Sequence, residues 1–114
     1  MANKLYLLKT PFNLTIFFTC IFFLSMGGCS KYSDEVQANL TKLKKTKSCS
    51  GCDLSGIELM SFDLKGADLS GANLTGANLR RSDLTGANLT DTNLSDADLL
   101  GANLTGATLT NTNL

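Results

Sequence analysis

Ala67-Asp68-Leu69-Ser70-Gly71-Ala72-Asn73-Leu74-Thr75-Gly76 is the stretch on which the fold turns. Its leucines stand five residues apart, and the spacing holds without a miss from Leu54 through Leu59, Leu64, Leu69, Leu74, Leu79, Leu84, Leu89, Leu94, Leu99, Leu104 and Leu109 to Leu114. Five suits neither regular element. On a helix each leucine would be rotated by about 140° from the last, and on a strand alternate leucines would face opposite ways. The chain must therefore turn once per repeat.

The positions around each leucine agree with that reading. Two residues before it stands a small or apolar residue, as at Ala67, Ala72, Ala77, Ser82, Ala87 and Thr92, and the residue directly before it is nearly always Asp or Asn. Two residues after it comes Gly at Gly56, Gly66, Gly71, Gly76, Gly86, Gly101 and Gly106, with Asp91, Asp96 and Asn111 at other corners. Gly, Asn and Asp tolerate the backbone angles that turns demand. Each unit thus offers two inward residues and one corner.

These units resemble the pentapeptide-repeat family, whose motif is A(D/N)LXX, and the resemblance covers residues 52–114. It implies an all-β architecture: a right-handed quadrilateral β-helix, four repeats to a coil and about three coils, with leucines and small residues filling the square interior. Secreted family members are also similar at the junction Thr46-Lys47-Ser48-Cys49-Ser50-Gly51-Cys52-Asp53-Leu54. Ile57 and Phe62 replace the small residue in the first coil only, where their bulk is expected to plug the end of the cylinder. At the other end the array stops in mid repeat, and an unpaired coil edge there invites end-to-end self-association.

Residues twenty apart should then stack on one face at about 4.8 Å. Of the positions following each leucine, three columns hold only Ser, Thr and Lys65, whereas the fourth holds Met60, Arg80 and Leu100, with Arg81 beside it. That column is the expected protein-contact face, because it alone carries large apolar side chains outward.

Ahead of the repeats lie two other segments. Residues 1–28 read as a signal peptide: Lys4 and Lys9 precede a mostly apolar run from Leu14 to Met26, which is shorter than the roughly 20 residues a membrane-spanning helix needs. The run closes at Leu24-Ser25-Met26-Gly27-Gly28-Cys29, which resembles the lipobox of bacterial lipoproteins and implies lipidation at Cys29, although Met26 stands where leucine is usual. Ordinary cleavage near Gly27 or Gly28 and an uncleaved anchor remain open, and all three outcomes export residues 30–114 to the periplasmic side. With Ser30 after a lipidated Cys29, the family's sorting habit favours the outer membrane over the inner.

Residues 29–48 read as a tether. Val36, Leu40 and Leu43 fall at i, i+4 and i+7, with Asp34 and Glu35 at the start and Lys42, Lys44 and Lys45 at the end, predicting a short amphipathic helix over about 34–45 that caps the solenoid. Residues 49–114 form the repeat domain. Once Cys20 leaves with the signal and Cys29 is assigned to lipid, Cys49 and Cys52 remain, and in an oxidising compartment a disulfide between them is expected.

Composition narrows the function. The chain has no histidine, so the commonest general base and the commonest zinc nitrogen ligand are absent. No nucleophile with its base, no phosphate loop and no metal or cofactor constellation emerges, and single carboxylates such as Asp91, Asp96 and Asp98 read as solvated. The formal net charge is zero, yet lysines crowd residues 31–47 while acids dominate from Cys52 onward. An acidic body repels nucleic acid. The expected function is a non-enzymatic, envelope-anchored interaction or scaffold module of a bacterium, with an unidentified protein partner and a membrane attachment through Cys29. The alternative that the resemblance supplies is a DNA mimic that occupies gyrase, which requires the chain to remain unexported.

Overall fold

The computed structural model describes residues 31–114; the signal segment and Cys29 lie outside them. The one helix among the described residues, α1, spans Asp34–Thr46. Ser33 caps its start, the hydroxyl oxygen accepting the Val36 N–H at 3.3 Å. Lys47 ends it in the left-handed conformation (φ 52°) and returns its N–H to the Leu43 carbonyl. Asp34 and Glu35 in the first turn and Lys44 and Lys45 in the last complement the helix dipole. Val36, Leu40 and Leu43 are buried in the same core as the repeat leucines.

Beyond α1 the chain winds as a β-solenoid with a register of twenty residues. Ser48 pairs with Asp68, Asp53 with Asn73, Glu58 with Asn78 and Asp63 with Asp83, all parallel, and the pattern continues to Asn93 with Asn113. Each pairing uses two backbone hydrogen bonds: Asn73 N–H donates to the Cys52 carbonyl at 2.9 Å, and Leu54 N–H to the Asn73 carbonyl at 2.8 Å. The walls are thus single bridges rather than extended strands. The turn from each leucine to the small residue of the next unit takes four of every five residues, which leaves one residue per face in ladder geometry.

Corners repeat one design. Ala77 N–H donates to the Leu74 carbonyl at 3.0 Å, closing a four-residue turn whose third residue, Gly76, has φ +66°. A type II turn requires that positive angle. Inside, leucines from Leu54 to Leu94 are almost completely buried, as are Ile57, Ala67, Ala72, Ala77 and Ala87. Burial fades along the axis, with Leu109 42% and Leu114 73% exposed.

The helix closes the opposite end. Ile57 is wholly buried, and Phe62, only partly buried, packs against the core with the Lys44 ammonium 5.9 Å from its ring centroid. Asn39 Nδ2 donates to the Asp53 carbonyl at 3.0 Å, joining α1 to the first coil. Cys49 and Cys52 form a disulfide that occupies a corner of the solenoid: Cys49 stands in the leucine position, Gly51 (φ +67°) in the glycine position and Cys52 in the alanine position. The repeat register therefore begins at Ser48, one unit before the leucine series.

Candidate protein-contact face

On every face the residue before the leucine points outward. An Asx side chain there takes the N–H two residues on, as Asn73 Oδ1 takes Thr75 N–H at 3.2 Å. On three faces the following Ser or Thr then donates its hydroxyl to that same oxygen: Ser70 to Asp68 at 2.7 Å, Thr75 to Asn73 at 2.5 Å and Thr85 to Asp83 at 2.5 Å. Such faces satisfy themselves. Their carboxyls are correspondingly acidic: the Ser70 hydroxyl holds Asp68 below the ordinary value, the Thr85 hydroxyl does so for Asp83, and the Lys47 ammonium for Asp63.

The face bridged through Glu58, Asn78 and Asp98 is built differently. Met60, Arg80 and Leu100 replace the hydroxyl residues, so Asn78 Oδ1 and Asp98 Oδ1 take the Arg80 and Leu100 N–H groups at 3.2 and 3.0 Å without the added hydroxyl, and Met60 and Leu100 are 53% and 63% exposed. Glu58 is too long for an Asx turn and accepts instead from Asn78 Nδ2 at 2.7 Å. Arg80 pairs with Asp98 at 3.4 Å. Ser61 N–H to the Arg80 carbonyl at 2.8 Å and Arg81 N–H to the Leu100 carbonyl at 3.0 Å hold the three rungs together.

The same face departs at its corners. Ser61 and Arg81 occupy the glycine position with φ 57° each, although neither is a residue that favours it. The Arg81 side chain runs toward Gly101, its Cγ 3.5 Å from where a Cβ on that glycine would lie, and among the described residues its guanidinium has no ion pair or hydrogen bond.

The expected contact residues Met60, Arg80, Arg81 and Leu100 thus share one face and its edge. Glu58 and Asp98 belong to it too; the twenty-residue register that groups the others would have found them. Asp96 (φ 58°) borders this face on the edge opposite Arg81, in register with Gly56 and Gly76, whereas Asp91 lies on another edge and accepts from Asn111 Nδ2 at 3.1 Å. Among the described residues no group of histidine, cysteine or carboxylate side chains is arranged to hold a metal ion, and no helix is long and apolar enough to cross a membrane.

A parallel solenoid of five-residue faces, four to a coil, with inward leucines and turn-closed corners, defines the class of protein. The family profile "Pentapeptide repeats (8 copies)" matches residues 48–86 and again 82–114, and the chain belongs to the pentapeptide-repeat family. It is similar to the crystal structure of a pentapeptide repeat protein from the Arabidopsis thaliana thylakoid lumen, with 33% identity and a TM-score of 0.59 over 78% of this chain and 57% of that one. A pentapeptide repeat protein from the cyanobacterium Cyanothece is 39% identical over 58% of this chain and 42% of its own, with a TM-score of 0.49. The chain therefore spans only about half the length of these solved relatives. No curated protein matches it significantly.

Proposed function

We propose that this chain is a non-enzymatic protein-interaction module of a bacterial envelope, a small rigid peg that presents the Met60–Arg80–Leu100 face to a protein partner. One observation carries the reading: of four faces, only this one gives up the self-satisfying hydroxyl pattern and exposes two large apolar side chains in register. A face that leaves two large apolar groups uncovered in register is suited to being covered. Export and lipid attachment at Cys29, with the periplasmic side of the outer membrane as destination, complete the proposal.

Two measurements test it. The intact mass of the mature protein from its native membranes, taken without reductant, is expected to begin at Cys29 and include acyl chains; a full-length unmodified mass would contradict lipid attachment at Cys29. For the face, Met60→Ser with Leu100→Ser is expected to abolish co-isolation of the natural partner from cross-linked cells while the fold stays intact. Undiminished co-isolation would reject the face.

A further inference from the structure

We infer that the outward side of α1 docks on anionic phospholipid headgroups, so that the solenoid stands end-on at the membrane with its acidic coils directed away. The inference rests on the reading that the chain is attached to a membrane ahead of Tyr32, and it adds the chemistry of the surface and the orientation upon it.

Charge is sorted along the solenoid axis. Residues 31–47 hold five lysines against two acids, whereas residues 48–114 hold three cations against eight carboxylates. α1 turns Val36, Leu40 and Leu43 into the core and leaves its other side exposed. Lys42 and Lys45 are exposed on that side, with Lys44 on its flank beside Phe62. Among the described residues no carboxylate pairs with any of the three.

The acids of this end lie off the lysine cluster. Asp34 and Glu35 are in the first turn, at least about 10.5 Å along the helix from Lys42, which exceeds the screening length of about 8 Å at physiological salt. In the first coil, Asp63 is paired with Lys47 at 3.0 Å. Asp53 and Glu58 keep their charge but accept from Asn73 and Asn78 of the following coil, on the side away from α1. The last turns of α1 therefore form a local cationic patch.

The path of the chain brings this patch to the membrane. The Tyr32 hydroxyl accepts the Glu58 N–H at 3.1 Å, where a preceding coil would otherwise pair, so the chain enters at the α1 end of the solenoid. Cys29 is three residues ahead of Tyr32, a reach of at most about 11 Å. A membrane held there meets α1 before it meets the second or third coil. Basic residues beside an anchor strengthen attachment to anionic lipid, while the carboxylates of the coils are repelled by it. Standing end-on also leaves all four faces open, the Met60–Leu100 face included.

The test uses the full chain, isotope-labelled, in nanodiscs of phosphatidylcholine alone or mixed with phosphatidylglycerol, each doped with a phosphatidylcholine that carries a nitroxide on its headgroup. With phosphatidylglycerol, paramagnetic broadening of amides 41–46 is expected to rise about fivefold, the weight of a single lysine at an anionic surface, while amides 101–114 stay sharp. Lys42→Gln with Lys45→Gln should return the broadening to the phosphatidylcholine level, and the unchanged amide spectrum of the coils shows that the fold is kept. Broadening that ignores phosphatidylglycerol, or that survives both the lysine changes and about 0.5 M salt, overturns the inference. Broadening centred on residues 58–61 and 98–101 also overturns it and lays the Met60–Leu100 face on lipid. The intact mass decides lipid at Cys29 separately, so failure of the docking and failure of the attachment are told apart.

Discussion

Cys49 and Leu69 occupy the same inward position in successive coils: the neighbouring Ser48–Asp68 bridge sets the register, and both side chains are completely buried. The disulfide to Cys52 thus replaces a leucine–alanine pair in the first corner of the solenoid.

Reduction is accordingly expected to lower stability by about 2 kcal/mol, the chain-entropy value for so short a loop. Cys49→Leu with Cys52→Ala should recover most of that loss, because it restores the residues that the repeat carries elsewhere. Thermal unfolding with and without reductant checks both; a double variant no better than the reduced protein would show that the disulfide does more than fill the corner.

Thr92 stands in a position that alanine usually fills, and its hydroxyl donates to the Leu69 carbonyl one coil back at 2.8 Å. Thr92→Val is expected to cost about 1 kcal/mol, a single net hydrogen bond, since the Leu69 carbonyl keeps the Ala72 N–H. Denaturant unfolding measures it.

Arg81→Gly is expected to stabilise the protein by about 0.5 to 1 kcal/mol. Relief of the left-handed strain outweighs the added freedom of the unfolded chain. The side chain is exposed, so little packing is lost. A gain in melting temperature together with weaker partner binding would mark Arg81 as kept for function. A fall in melting temperature would refute the strain argument.

Acid sensitivity follows from Asp63, Asp68 and Asp83, whose carboxyls are held below the ordinary 3.8 by their hydrogen bonds to Lys47, Ser70 and Thr85. Their folded pKa lies beneath the unfolded one, so in acid the unfolded state binds more protons. The stabilisation is complete above about pH 4 and is lost as pH falls through the folded values. A melting temperature flat near neutrality and declining below about pH 4 is expected, with Asp68→Asn softening the decline.

The solenoid was legible because its signal is repeated: thirteen leucines at one spacing leave a single way to turn them all to the same interior. The grouping of Met60, Arg80 and Leu100 followed from the same arithmetic. What the leucine series hid was its own first member, since Cys49 does a leucine's work under another name. The strain at Ser61 and Arg81 is a property of the folded backbone. A missing glycine is visible in sequence, but whether the backbone keeps the positive angle without it depends on the coils above and below. The Glu58–Asn78 and Arg80–Asp98 pairs needed side-chain geometry, because several rotamers of each would have left them apart.

The central claim is that one face of four meets a partner, and photocrosslinking in living cells tests it most directly. A photoreactive residue placed in turn at positions 60, 100, 75 and 105 samples that face and two others. Adducts of one defined mass at 60 and 100, with none at 75 and 105, are the predicted result. Equal labelling at all four positions, or labelling at 75 and 105 alone, would contradict it.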